Sequence, residues 1–178
     1  MVPEEPEEPV KEKKVLFQGL TGNLYLLNAD GTKRPLVFKR NEHQSISFAS
    51  LSPNGDKIAM DIWNQNINIA SLSVFDIANN TTREIKRGTH HGGITRGIIW
   101  SPDNKKLLYS CRETAALWIS PIKGGNPIMI GEGRVNRIIN NKNREIWNFY
   151  SHLNFLDCSD KVLFSHASWF RDSAGRVT

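Results

Sequence analysis

An all-β fold, a β-propeller built of four-stranded antiparallel blades, is predicted for this 178-residue chain by three features of its sequence. One motif of apolar run, Ser-Pro turn and second apolar run occurs twice, 49 residues apart counted from Ser52 to Ser101. Each copy is followed by alternating apolar and polar residues that meet at an Asn- or Gly-rich turn, the pattern of a half-buried hairpin. The whole unit returns after about 45 to 50 residues, the interval of a propeller blade.

The two copies are Ala49-Ser50-Leu51-Ser52-Pro53-Asn54-Gly55-Asp56-Lys57-Ile58-Ala59-Met60 and Ile98-Ile99-Trp100-Ser101-Pro102-Asp103-Asn104-Lys105-Lys106-Leu107-Leu108-Tyr109. Proline pre-sets φ for the first turn position, and Asn or Gly accepts the left-handed one, so both are tight hairpins. Leu72 to Asp76 then alternates, turns at Ala78-Asn79-Asn80 and returns as Thr81 to Ile85. Its counterparts are Leu24 to Asn28 with Ala29-Asp30-Gly31, and Leu117 to Ile119 with Lys123-Gly124-Gly125.

Blades follow in order. Residues 15 to 38 supply three strands, Val15 to Phe17, Leu24 to Asn28 and Arg34 to Phe38, and lack the innermost one. Val15-Leu16-Phe17-Gln18-Gly19 also resembles a picornaviral protease cleavage sequence, but Leu20 replaces the usual proline, and the segment is read as a native strand. Residues 45 to 87 make a complete blade and residues 95 to 131 a second. A third is expected from Arg134 to Ile139, Arg144 to Tyr150, Leu153 to Asp157 and Val162 to Phe164. Residues 167 to 177, around Trp169, repeat the pattern near Trp100 and are expected to form a further inner strand. With the three N-terminal strands it would complete a blade, by the exchange that spares propellers unpaired edges. The chain thus holds about three to four blades, and is expected to be a piece of a larger propeller; a four-bladed ring and a β-sandwich are the alternatives.

Residues 1 to 14 differ in kind. Five glutamates against three lysines make them acidic, although the chain carries +5 overall. A Pro/Glu-rich stretch with so few aliphatics cannot offset its ordering entropy by burial, so 1–14 reads as a disordered tail and 15–178 as the propeller domain. The tail has no apolar run and is no signal peptide; export would require one upstream. No segment is long and apolar enough to span a bilayer, so no membrane insertion is expected. The basic remainder is scattered over strand ends, which argues against a nucleic-acid partner. Two cysteines, Cys111 and Cys158, build no disulfide framework and no zinc site.

Leu51 to Ala59 and Trp100 to Leu107 resemble the Trp-Ser-Pro-Asp-Gly-Lys-Lys-Ile repeat of the TolB-like (WD-repeat-like) propeller family, with Leu51 in place of the tryptophan. Leu24 to Gly31 is similar to that family's following hairpin, and the likeness weakens after residue 133. The resemblance implies a scaffold whose function sits in its loops. It also implies relatives of three kinds: periplasmic proteins that bind envelope partners, gating propellers of prolyl-oligopeptidase-type serine peptidases, and metal-dependent polysaccharide lyases.

No Gly-x-Ser-x-Gly anchors a hydrolase triad, and Gly92-Gly93 and Gly124-Gly125 lack the lysine of a phosphate loop. His90-His91 falls between two blades on a link that runs toward the central channel; adjacent residues on an extended chain point oppositely, so a polar loop is expected there rather than a metal site. Trp100, Trp118 and Trp169 read as packing between blades, whereas Trp63, beside Asn64-Gln65-Asn66, reads as the tryptophan exposed on a loop. The expectation is a non-enzymatic binding module for a protein partner, periplasmic or extracellular, with no cofactor and no metal. Its contacts are placed on the channel-mouth loops at His90, His91, Arg96, Trp63 and Asn64. The alternatives are the gating segment of a serine peptidase and the metal-dependent lyase.

Overall fold

The computed structural model describes residues 14–28, 30, 32–89, 93–139, 142–155 and 161–171. Its described elements are all strands. They divide between two compact units, Met1–Lys39 and Arg40–Thr178.

The first unit holds one antiparallel sheet of β1 (Lys14–Gln18), β2 (Leu24–Asn28) and β3 (Lys33–Phe38), in that order. Among its described side chains Leu24 and Leu26 are buried, alternating with half-buried neighbours as a period-2 strand requires.

The second unit starts with two complete four-stranded sheets. One is β4 (Gln44–Leu51), β5 (Lys57–Asn64), β6 (Ile69–Asp76) and β7 (Thr81–Gly88), and the next is β8 (Thr95–Trp100), β9 (Lys106–Cys111), β10 (Leu117–Pro121) and β11 (Ile128–Gly131). Each runs in sequence order across the sheet, the meander expected of a blade. The last sheet holds β12 (Arg134–Ile139), β13 (Lys142–Phe155) and β14 (Val162–Arg171).

Two expectations are corrected here. Among the described residues the third blade has three strands rather than the expected four, because the chain does not break after Tyr150: β13 runs through to Phe155 and absorbs the irregularity as a register shift between Ser151 and Asn154. Ser151-His152 has no Gly, Pro or Asn-Gly to close a hairpin, and a bulge is the remaining solution. Residues 167–171, expected to start a separate inner strand, continue β14 and pair with β13, Trp169 opposite Trp147; residues 172–177 lie outside the described residues.

The Ser-Pro turns are superimposable in their chemistry. The Ser52 and Ser101 amides donate to Lys57 O and Lys106 O, and each serine hydroxyl accepts from the amide five residues on, at 2.9 Å in both. The left-handed residue falls at Gly55 in one (φ 74°) and Asn104 in the other (φ 59°), again 49 apart. Asp103 closes the second turn by accepting the Ser101 hydroxyl at 2.6 Å, and this bond, more than the Lys105 amide, holds its carboxyl below the usual carboxylate range. A carboxyl depressed in the folded state contributes stability above its unfolded pKa and loses it as pH falls through the folded value. Ser101→Ala is therefore expected to cost about 1 kcal/mol near neutrality. Urea unfolding across the acid range should show that gap shrinking as pH drops.

Packing explains why the strands of the central sheet are apolar on both faces. Leu107 and Tyr109 pack with Ala59, Ala70, Leu72 and Val74 of the preceding sheet. Leu108 and Leu117 pack the other way, against Phe155 and its neighbours Leu153 and Val162. Hydrogen bonds also cross between the two complete sheets. Trp100 Nε1 donates to Ser50 O at 2.9 Å, and the Asn54 amide donates to Asn104 Oδ1 at 3.1 Å, so the repeat is bonded to itself one blade back.

Candidate functional site

Antiparallel order sorts the connections onto two ends. The Ser-Pro turns and the turns after β6 and β10 lie at one end. The β5–β6 turn (65–68), the β7–β8 link and the β9–β10 turn (112–116) lie at the other. The residues expected to form a binding site belong to this second end.

Asn64 closes β5 and its Oδ1 accepts from the Asn66 amide at 3.1 Å, a local bond that fixes the β5–β6 turn. Asn68 completes that turn at φ 52°, and Gln65 N donates to His43 O, tying it to the chain before β4. Ile67 stands at the tip, 60% exposed. Arg96 is exposed on β8, one residue past the start of the strand. His90 and His91 lie outside the described residues. Trp63 is a correction: it is on β5, paired with Ser45 and Ala70, and its indole is half buried against the core between the two complete sheets. An indole on a central strand covers apolar neighbours, so it is a packing residue like Trp100, which is buried, and Trp118, whose ring also lies 5.1 Å from Lys86 Nζ.

Sequence reasoning passed over the pair that builds this end. Asp61 is fully buried in β5, and both its oxygens are taken up by the neighbouring sheet. Oδ1 accepts from Ile94 N at 2.9 Å, and Oδ2 accepts from Thr95 N at 2.7 Å and from the Thr95 hydroxyl at 3.1 Å. Arg112 grips the same two residues from the other side, its amide donating to Ile94 O and its Nε to Thr95 O, both at 2.7 Å. The entry to β8 is thus satisfied on every backbone polar group of Ile94 and Thr95. Burial pushes the Asp61 carboxyl above the ordinary carboxylate range, against the pull of these donors and the Arg112 charge. The sequence did carry a signal: Asp61 interrupts Ile58-Ala59-Met60-Asp61-Ile62, and a lone acid in a buried strand must find donors.

No protein-family model matches the chain. No curated protein matches it either. Solved structures do. TolB from Acinetobacter baumannii superimposes with a TM-score of 0.50 and 17% identity over 92% of this chain and 39% of its own. An oligogalacturonate lyase in complex with manganese gives a TM-score of 0.51 and 11% identity over 74% of this chain and 39% of its own. These likenesses are of fold. The chain carries β-propeller blades, and it spans about two fifths of the length of these two matched structures.

Proposed function

We infer that this chain is a non-catalytic binding propeller that holds a protein partner against the end of its blades carrying Asn64, Ile67 and Arg96, and that it works in the cell envelope or outside the cell. The observation that supports this reading best is the use made of Asp61. The buried acid, the natural candidate for proton transfer, has its oxygens filled by three donors from the next sheet, and so serves to join blades. Beside that junction stand Ile67 on the β5–β6 turn, Asn64 at the end of β5 and Arg96 near the start of β8, an apolar side chain with multidentate polar ones, as in protein interfaces. The envelope setting rests on the resemblance of the Ser-Pro repeat to the TolB family.

Photo-crosslinking tests the reading. A benzophenone side chain at position 67 is expected to capture a discrete envelope protein, and the same group at Ala78, on the opposite end, is not. Ile67→Asp should abolish binding of the captured protein while leaving stability within about 0.5 kcal/mol, because the side chain is exposed. Equal capture from both ends, or none from position 67, would remove the proposal.

A further inference from the structure

β7 carries Arg83, Lys86 and Arg87 against the single acid Glu84, and the register of its sheet sorts these charges onto two faces. Arg83 lies opposite Val74 and Lys86 opposite Leu72, and opposed side chains of an antiparallel pair share a face. Val74 and Leu72 pack with Leu107 and Tyr109 of the second complete sheet, so Arg83 and Lys86 are aimed at that sheet too. Arg87 is spoken for: its Nε and Nη2 donate to the Glu84 carboxylate at 3.0 and 2.9 Å. Arg83 and Lys86 meet no carboxylate among the described residues. Lys86 rests on the Trp118 ring.

Arg83 ends on the turn between β10 and β11. That turn passes through Gly124 at φ 105° and Gly125 at φ 122°, and the place of a Cβ on Gly124 is taken by the guanidinium, 2.6 Å from Nη2. Two glycines leave the backbone of the turn bare. The amides of Lys123, Gly124 and Gly125 donate to nothing among the described residues, and neither do the guanidinium N–H groups of Arg83. All four residues are exposed. The lysine of a phosphate loop is missing after these glycines, but a cation from the neighbouring sheet stands in its place. Every group named belongs to the one compact unit Arg40–Thr178.

We propose that Arg83 and the turn Lys123-Gly124-Gly125 form a binding site for a phosphate monoester group. A guanidinium fork matches two phosphate oxygens with parallel bonds, and successive unpaired amides in a glycine turn make a hollow for an anion. Lys123 adds a point charge from the turn. Lys86 adds another, two ladder positions from Arg83 and roughly 7 Å along the strand. These donors outnumber the two oxygens of a carboxylate and suit a group with three free oxygens and nearly two charges. The site lies at the Ser-Pro end of the blades, away from Asn64, Ile67 and Arg96, and either reading can fail alone.

The test is a titration of the whole chain with inorganic phosphate, followed by amide NMR. Gly124 and Gly125 are expected to shift together and to saturate. Arg83→Gln should weaken that binding about tenfold or more, as the loss of a charge-assisted bond requires. Arg83→Lys, which keeps the charge without the fork, should fall between. Arg87→Gln removes the same charge from the same strand and should change the binding less than about twofold, because that guanidinium is held by Glu84. Equal losses at 83 and 87 would mean that the general positive charge holds the anion, and acetate acting as well as phosphate would mean an unselective cation; either overturns the proposal, as does the absence of a shift at Gly124 and Gly125. Phosphatidylcholine vesicles doped with phosphatidic acid identify the source of the group. Cosedimentation that Arg83→Gln abolishes assigns a lipid headgroup, and phosphate binding without cosedimentation assigns a soluble phosphate ester.

Discussion

Replacing Asp61 by alanine is expected to lower the free energy of unfolding by on the order of 3 kcal/mol, because it strands the Ile94 and Thr95 amides in a dry junction, each costing about 1–3 kcal/mol. Asparagine should help little. Its single carbonyl can satisfy one amide, and its NH2 must then face the other, donor against donor. Gly93 belongs to the same device: a Cβ there would lie 2.5 Å from Asp61 Oδ2, at a φ of 105° that L side chains rarely adopt, so Gly93→Ala should displace the carboxylate and reproduce much of the loss. Urea unfolding followed by tryptophan fluorescence measures both, and an unchanged m-value would show that the native junction, not the denatured chain, was altered. A loss below about 0.5 kcal/mol for Asp61→Ala would mean that water or the Thr95 hydroxyl replaces the acid, and that the junction holds by apolar packing alone.

The Ser-Pro motif made the two complete sheets legible because a proline turn with a left-handed residue at a fixed offset has essentially one backbone solution, and Gly55 and Asn104 show it. Strand boundaries followed from period-2 alternation, which a one-sided apolar core enforces. The fourth sheet was harder to read for the converse reason. Asn140 to Arg144 and Phe170 to Arg176 have no Ser-Pro, and without a turn that dictates geometry the echo of Leu72 to Asp76 in Leu153 to Asp157 suggests a separate strand where the chain instead continues β13 to Phe155. Of the candidate site, Asn64 and Arg96 were expected on loops and stand instead on β5 and β8, at the end of these sheets to which antiparallel topology alone brings them. Trp63 was misjudged from its Asn-Gln-Asn neighbours, though its own position is set by the ladder to Ala70. Asp61 and Arg112 were missed because their meaning is tertiary: nothing local in Met60-Asp61-Ile62 says that its donors lie 33 residues on.

The same logic makes Gly133 the most intolerant glycine after that junction. It precedes β12 as Gly93 precedes β8, and it too is pressed against the preceding blade. A Cβ at Gly133 would fall onto the carbonyl oxygen of Thr114 and within 2.6 Å of Ala116 N. These obstacles are backbone, in a turn already held by Cys111 N donating to Ala116 O and by Ala115 at φ 56°, so no rotamer change can make room. Gly133→Ala is accordingly expected to cost about 3 kcal/mol or more, the upper part of the range for overpacked sites, and to separate the fourth sheet from the third. Gly97 supplies the control, since a Cβ on it meets nothing within 4 Å. Gly97→Ala in β8 should be neutral, or stabilising by roughly 0.5–1 kcal/mol through the lost freedom of the unfolded chain. Thermal melts of the two variants side by side decide the matter: equal losses would mean that glycine at either position serves backbone flexibility, and that the close approach of Thr114 to Gly133 is not what sets the blades together.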